Sequence, residues 1–96
     1  MATSLSLLRY NISLLTYDVV YRKWNRVRIL VFIDGHVDEI SIKASGKNIT
    51  VYALNSETKE YAKLLIPINF RIKKYKYIMK NGVLVIDVFR KILPFL

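Results

Sequence analysis

From Leu15 onward, apolar and polar residues alternate at period two through most of the chain. This is the pattern of half-buried strands, whose successive side chains point to opposite faces of a sheet. Leu15, Tyr17, Val19 and Tyr21 fall on one face of a first strand, and Arg22-Lys23-Trp24-Asn25 reads as the turn after it. Val27, Ile29, Val31 and Ile33 share a face of the second strand, with Leu30 and Phe32 making its other face partly apolar. After Asp34-Gly35-His36 breaks the alternation, Ile40, Ile42 and Ala44 predict a short third strand with Ser41 and Lys43 outward. Ser45-Gly46-Lys47 turns the chain into a fourth strand carrying Ile49, Val51 and Ala53 inward.

Leu54 to Glu60 is a short polar loop, and Ala62, Leu64 and Ile66 form the next inward face. Pro67, which has no N–H for a ladder, closes that strand. Asn69 to Lys74 reads as an irregular cationic connection. Tyr75 to Lys80 and Val83 to Phe89 flank Asn81-Gly82, the strongest short-range hairpin signal, because a two-residue turn of this kind needs positive φ at both positions. The Gly46 turn lacks that paired signal and is expected to tolerate remodelling. Helical spacing occurs only at Ser4 to Leu14, through Leu5, Leu8 and Ile12. Seven short strands without a convincing helix predict an all-β, two-sheet antiparallel sandwich of the immunoglobulin-like kind.

Ninety-six residues make one domain, with 53% hydrophobic residues to fill its core. The division expected is an apolar N-terminal arm over 1–14, the sandwich over 15–91 and an apolar tail over 92–96. Cysteine is absent, which excludes disulfides, thiolate metal sites and cysteine nucleophiles. His36 is the only histidine, so no histidine-based catalytic pair or multi-histidine metal site can be built. The glycines do not form a phosphate-cradling motif. No catalytic, cofactor-binding or metal-binding residue is therefore predicted, and an enzyme is not expected. No apolar run is long enough to span a bilayer, and Met1 to Leu8 lacks the features of a signal peptide, so a cytoplasmic protein without membrane association is expected.

Charge adds a second theme. The net charge is +9, and between Tyr61 and Lys91 eight Lys and Arg stand against Asp87 alone. Such a field attracts polyanions or acidic proteins. Arg71, Lys73, Lys74, Lys76 and Lys80 form the candidate polyanion patch, in which lysines interleave with Tyr75 and Tyr77 as they would in a surface that holds phosphates and stacks bases. The same lysines would equally serve an edge strand by discouraging edge-to-edge aggregation.

The ordered strands carry a family likeness. Asp18 sits in Tyr17-Asp18-Val19-Val20; Val31-Phe32-Ile33-Asp34-Gly35-His36 leads through Val37-Asp38-Glu39 to Ile40-Ser41-Ile42; Ile66-Pro67 closes a strand; and Lys80-Asn81-Gly82-Val83-Leu84-Val85-Ile86 follows. Over Tyr17 to Lys91 this resembles the alpha-crystallin domain of small heat shock proteins, with Asp34 where that family usually has proline. The resemblance implies a crystallin-type sandwich acting as an ATP-independent chaperone or protein-interaction module, in which exposed apolar surface holds partly unfolded partner proteins. Microbial members carry a long loop with a strand that swaps into a partner. Leu54 to Glu60 is too short for one, which implies a divergent short-loop member and self-association no larger than a dimer or small oligomer. The family's tail motif has its counterpart in Leu93-Pro94-Phe95, although the residue types differ.

The candidate partner-binding residues are Leu5, Leu8 and Ile12 in the arm, Ile40 and Ile42 with Tyr75, Tyr77 and Met79 beside an inter-strand groove, and Leu93 and Phe95 in the tail. The rival expectation from another class is a basic nucleic-acid-associated or viral structural protein built on the same sandwich. Fold alone does not choose between them.

Overall fold

The computed structural model describes residues 15–35, 37–56 and 59–92. The arm with Leu5, Leu8 and Ile12, the loop residue His36, and Leu93 and Phe95 of the tail lie outside the described residues. Seven strands follow in chain order: β1 (Leu15–Arg22), β2 (Arg26–Ile33), β3 (Glu39–Ser45), β4 (Asn48–Asn55), β5 (Glu60–Pro67), β6 (Ile72–Lys80) and β7 (Val83–Arg90). They form two antiparallel sheets, a four-stranded one ordered β1-β2-β7-β6 and a three-stranded one ordered β3-β4-β5. The chain is thus the all-β two-sheet sandwich that the alternation predicts. No helix among the described residues is long and apolar enough to cross a membrane.

The central pair β2 and β7 keeps strict alternation. Val27, Ile29 and Val31 stand opposite Val88, Ile86 and Leu84, and all six are buried. They face Ile49 and Val51 of β4 and Ile66 of β5 to make the core. Each such side chain contributes about 1.5–3 kcal/mol by leaving water.

Three departures from the sequence pattern arise from local geometry. First, β1 carries a bulge between Val19 and Tyr21. Tyr17 and Val19 oppose Val31 and Ile29 on the core face, but Tyr21 opposes Arg28 on the outer face, so it does not share the face of Leu15, Tyr17 and Val19 as simple alternation would have it. A bulge inserts one residue and exchanges the two faces beyond it. Second, β6 begins at Ile72, within the segment that reads as an irregular connection. A bulge between Ile72 and Lys74 again exchanges faces, so that Ile72 and Tyr75 both pack against the core. Third, Ile68 and Phe70, in the link from β5 to β6, are buried core residues that continue the inward series begun at Ile66.

Both short turns are constrained. Asn81 and Gly82 have φ of 53° and 78°, the left-handed pair that the hairpin requires. Gly46 also has positive φ, at 58°. Its carbonyl accepts the Ile72 N–H at 2.9 Å, and the Lys47 carbonyl accepts the Ile68 N–H at 2.8 Å, tying this turn to the β5–β6 link. The Gly46 turn is therefore less free to remodel than its sequence suggests. Between β4 and β5, Asn55 pairs with Glu60, so residues 56–59 alone make the connection. The Asp38 carboxylate, just before β3, holds the start of this connection by accepting from the Ser56 N–H at 2.7 Å and from the Ser56 hydroxyl.

Two outcomes are expected in urea titrations. Phe70→Ala should lower stability by about 3–5 kcal/mol, as truncation of a buried aromatic does and truncation of a loop residue does not. Gly46→Val and Gly82→Val should each lose about 1–3 kcal/mol, the range for a residue held in sparsely populated backbone space. A neutral Gly46→Val would mean that the two hydrogen bonds at that turn do not hold its conformation.

Candidate functional site

Two surfaces stand out. The first is a groove along the edge where β3 and β6 approach each other. Because antiparallel partners point to the same side, Tyr75, Tyr77 and Met79 share the core face with Val88, Ile86 and Leu84, their opposites on β7. At Tyr75 the two sheets are closed. Its hydroxyl donates to the Ile42 carbonyl at 3.0 Å, and Tyr75, Ile40 and Ile42 are half-buried against the core. Farther along β6 the cover ends. Tyr77 is 59% exposed and Met79 42%, although Ile86 and Leu84 beside them are fully buried. The Tyr75 and Tyr77 rings lie 6.3 Å apart at 33°, forming an aromatic floor to the opening. Of the sequence-predicted residues, Tyr75 and Ile42 are joined by this hydroxyl–carbonyl bond and Ile40 packs on the same core, while Tyr77 and Met79 follow on β6 as exposed side chains.

The second surface is the outer face of the four-stranded sheet, at the end of the β1–β2 turn. Here the pleat divides the predicted cationic-aromatic strip. Lys74, Lys76 and Lys80 stand opposite Phe89, Asp87 and Val83 on the outer face, while Tyr75 and Tyr77 point to the other side. Lys73 is the inserted residue of the bulge, and Arg71 lies in the link before β6, its carbonyl accepting the Lys91 N–H at 2.7 Å. The rings that do meet the lysines come from neighbouring strands. The Lys74 and Lys76 ammonium groups lie 5.4 and 5.8 Å from the centre of the Phe89 ring, and the Arg26 guanidinium lies 5.9 Å from it. Tyr21 gathers Lys23, Arg26 and Arg28 at 5.0, 5.5 and 5.6 Å.

Sequence reasoning missed Tyr21, Lys23, Arg26, Arg28 and Phe89 as members of this patch. The signal for the arginines is present as Arg26-x-Arg28 on the polar positions of β2. Tyr21 reaches the patch only through the β1 bulge, which the alternation does not announce.

One carboxylate sits among these cations. The Arg28 Nε donates to Asp87 Oδ1 at 2.7 Å and Nη2 to Oδ2 at 2.9 Å, a bidentate pair across β2 and β7. Hydrogen bonding to Arg28 holds the Asp87 carboxyl below its ordinary value; partial burial opposes this, and the charges of Arg28, Arg26 and Lys76 reinforce it. Beside the patch, the Trp24 ring on the β1–β2 turn is 66% exposed, with the Arg90 guanidinium 5.9 Å from its centre. Arg90 Nη1 also donates to the Trp24 carbonyl at 3.1 Å, which ties the turn to β7.

Among the described residues, no group of three or more His, Cys, Asp or Glu is gathered where it could hold a metal ion. No protein-family model and no characterised protein sequence matches the chain.

The Asp87 environment gives a signed pH expectation. Its folded carboxyl is the stronger acid, so the unfolded chain binds the proton more readily. The resulting stabilisation is complete above the unfolded Asp value of about 3.9 and is lost as pH falls through the lowered folded value. Parent protein should therefore exceed Asp87→Asn in stability near neutral pH, and the gap should close in acid. Denaturant midpoints of both proteins across an acid pH series would check this, and a pH-independent gap would contradict it.

Proposed function

We propose that this domain is a protein-interaction module of the crystallin type, which holds partly unfolded polypeptides without ATP. The single observation that carries the reading is the opening between β3 and β6. Two large apolar side chains of β6, Tyr77 and Met79, are aligned with the core yet left exposed where the three-stranded sheet ends. A row of core-facing side chains without an opposing layer leaves apolar surface in water, a feature typical of binding sites for other chains.

The occupant that fits is an extended apolar segment of another polypeptide. β3 and β6 are edge strands of their sheets, so each offers backbone groups to an added strand. Alternate side chains of that segment would lie on Tyr77 and Met79, the exposed pair on the core face of β6. This is recognition by shape and hydrophobicity, suited to many different clients. The ordered motifs from Asp18 to Ile86 support the same reading through their resemblance to the alpha-crystallin domain. The four residues between Asn55 and Glu60 are too few for a strand that could cross to a second subunit, which favours a monomer or small assembly over a shell built by strand exchange.

A double substitution, Tyr77→Ser with Met79→Ser, tests the groove. Because both side chains are exposed, the urea midpoint should shift by no more than about 0.5 kcal/mol for each. Suppression of aggregation of a heat-labile client, followed by light scattering, should fall several-fold. A parent protein that fails to slow client aggregation, or a variant as active as the parent, would overturn the proposal.

A further inference from the structure

We infer that the outer face of the four-stranded sheet is a second binding surface, independent of the groove, which takes single-stranded nucleic acid through the Tyr21–Phe89 cation cluster.

Folding does not explain the excess of charge on this face. Lys23, Arg26, Arg28, Lys74 and Lys76 surround two rings that share Arg26, and Asp87 is the carboxylate among them. Asp87 is already engaged by both nitrogens of the Arg28 fork. The remaining cations lie over ring faces, which attract them weakly compared with an anion. Like charges held this closely repel one another, so the cluster lowers the stability of the free protein. An incoming polyanion would relieve that repulsion.

Protection of a sheet edge accounts for only part of the cluster. Lys74 and Lys76 lie on β6, which is an edge strand. Arg26 and Arg28 lie on β2, which is flanked by β1 and β7 and has no open edge to guard. Solubility would be served equally by charges spread over both sheets. Instead the bulges in β1 and β6 each shift the alternation at this end of the sheet, bringing Tyr21 to Arg28, and Lys74 and Lys76 to Phe89 and Asp87. Bulges commonly re-aim side chains at working surfaces.

The geometry favours a nucleic-acid strand over other polyanions. Arg26 and Arg28 alternate along β2, as Lys74 and Lys76 do along β6, giving two cationic rows with β7 between them. Cations two residues apart on a strand are about 6.6 Å apart, comparable with successive phosphates on an extended nucleic-acid strand. Arginine forks bind phosphate in two-point fashion. Aromatic rings lie within the same field, with Trp24 well exposed at its border, and planar rings beside phosphate-binding cations allow bases to stack.

The test uses the full chain and an unstructured oligothymidylate, with binding followed by anisotropy across a salt series and by Trp24 emission. Trp24 is the sole tryptophan, so quenching on binding reports contact at this end of the sheet. Parent protein should bind at low salt with quenching. Lys23→Gln, Lys74→Gln and Lys76→Gln together should weaken binding about tenfold or more and flatten the salt slope by roughly 0.7 for each phosphate no longer neutralised. A charge-matched control, Lys43→Gln, Lys47→Gln and Lys63→Gln, removes three lysines from the other sheet and its turn, and it should bind nearly as the parent does. The groove variant carrying Tyr77→Ser and Met79→Ser should also bind normally, so failure of the groove and failure of this surface are separable. No binding at low salt, equal weakening by both lysine triples, or preference for anionic vesicles over the oligonucleotide would overturn the inference.

Discussion

Successive side chains on a strand point to opposite faces, so a single inserted residue exchanges everything beyond it. The organisation of this sandwich depends on where that alternation is kept and where it is broken. On β2 and β7 it is unbroken, and six aliphatic side chains from Val27 to Val88 form one wall of the core. On the flanking strands β1 and β6 it is broken once each, near the same end of the sheet. Core packing and surface chemistry are therefore consequences of the same backbone rule. The bulge that sends Lys74 and Lys76 outward is also the one that turns Tyr75 inward to bond the Ile42 carbonyl.

Much of the architecture was legible in the residues because the core positions are aliphatic and regularly spaced. Val27-x-Ile29-x-Val31 and Leu84-x-Ile86-x-Val88 can face inward in only one way, and Asn81-Gly82 restricts the connection between β6 and β7 to a tight turn. The face of Tyr21 was not legible, since a tyrosine suits either side and Val19-Val20 offers two equivalent apolar phases. Ile72 and Tyr75, three apart, break the period by one residue, which disguises the start of β6 as a connection. Ile68 and Phe70 keep the period two of Ile66, but Pro67 closes the ladder before them, which disguises this core segment as a plain connection. The groove residues were legible one by one, but their exposure was not. It depends on how far the opposing sheet extends along β6, which is closed at Tyr75 and open at Tyr77.

The two faces of the four-stranded sheet keep the two surfaces apart. The groove presents the inner face of β6 where the opposing sheet stops, whereas the cation cluster presents the outer face of the same sheet. Tyr77 and Lys76 are adjacent in sequence yet serve opposite sides. A substitution at one is therefore expected to leave the other surface in place, as additivity for side chains without shared partners requires. One thin domain can in this way display an apolar site and a charged site without mixing their chemistry.

The position of β7 has a consequence for synthesis. It is the last of the seven strands in chain order, yet it lies in the interior of its sheet between β2 and β6. As the chain emerges from a ribosome, β1 and β2 can form a hairpin and β3, β4 and β5 can form their sheet. The wall of Leu84, Ile86 and Val88 arrives only after both. Until then, the core faces of β2 and β4 have no complete partner, and β2 presents an open apolar edge to neighbouring nascent chains. Partial products ending before Val83 would lack a finished core. Completion of the core thus waits for the last of these strands, and the apolar surface left open to aggregation persists until it is added.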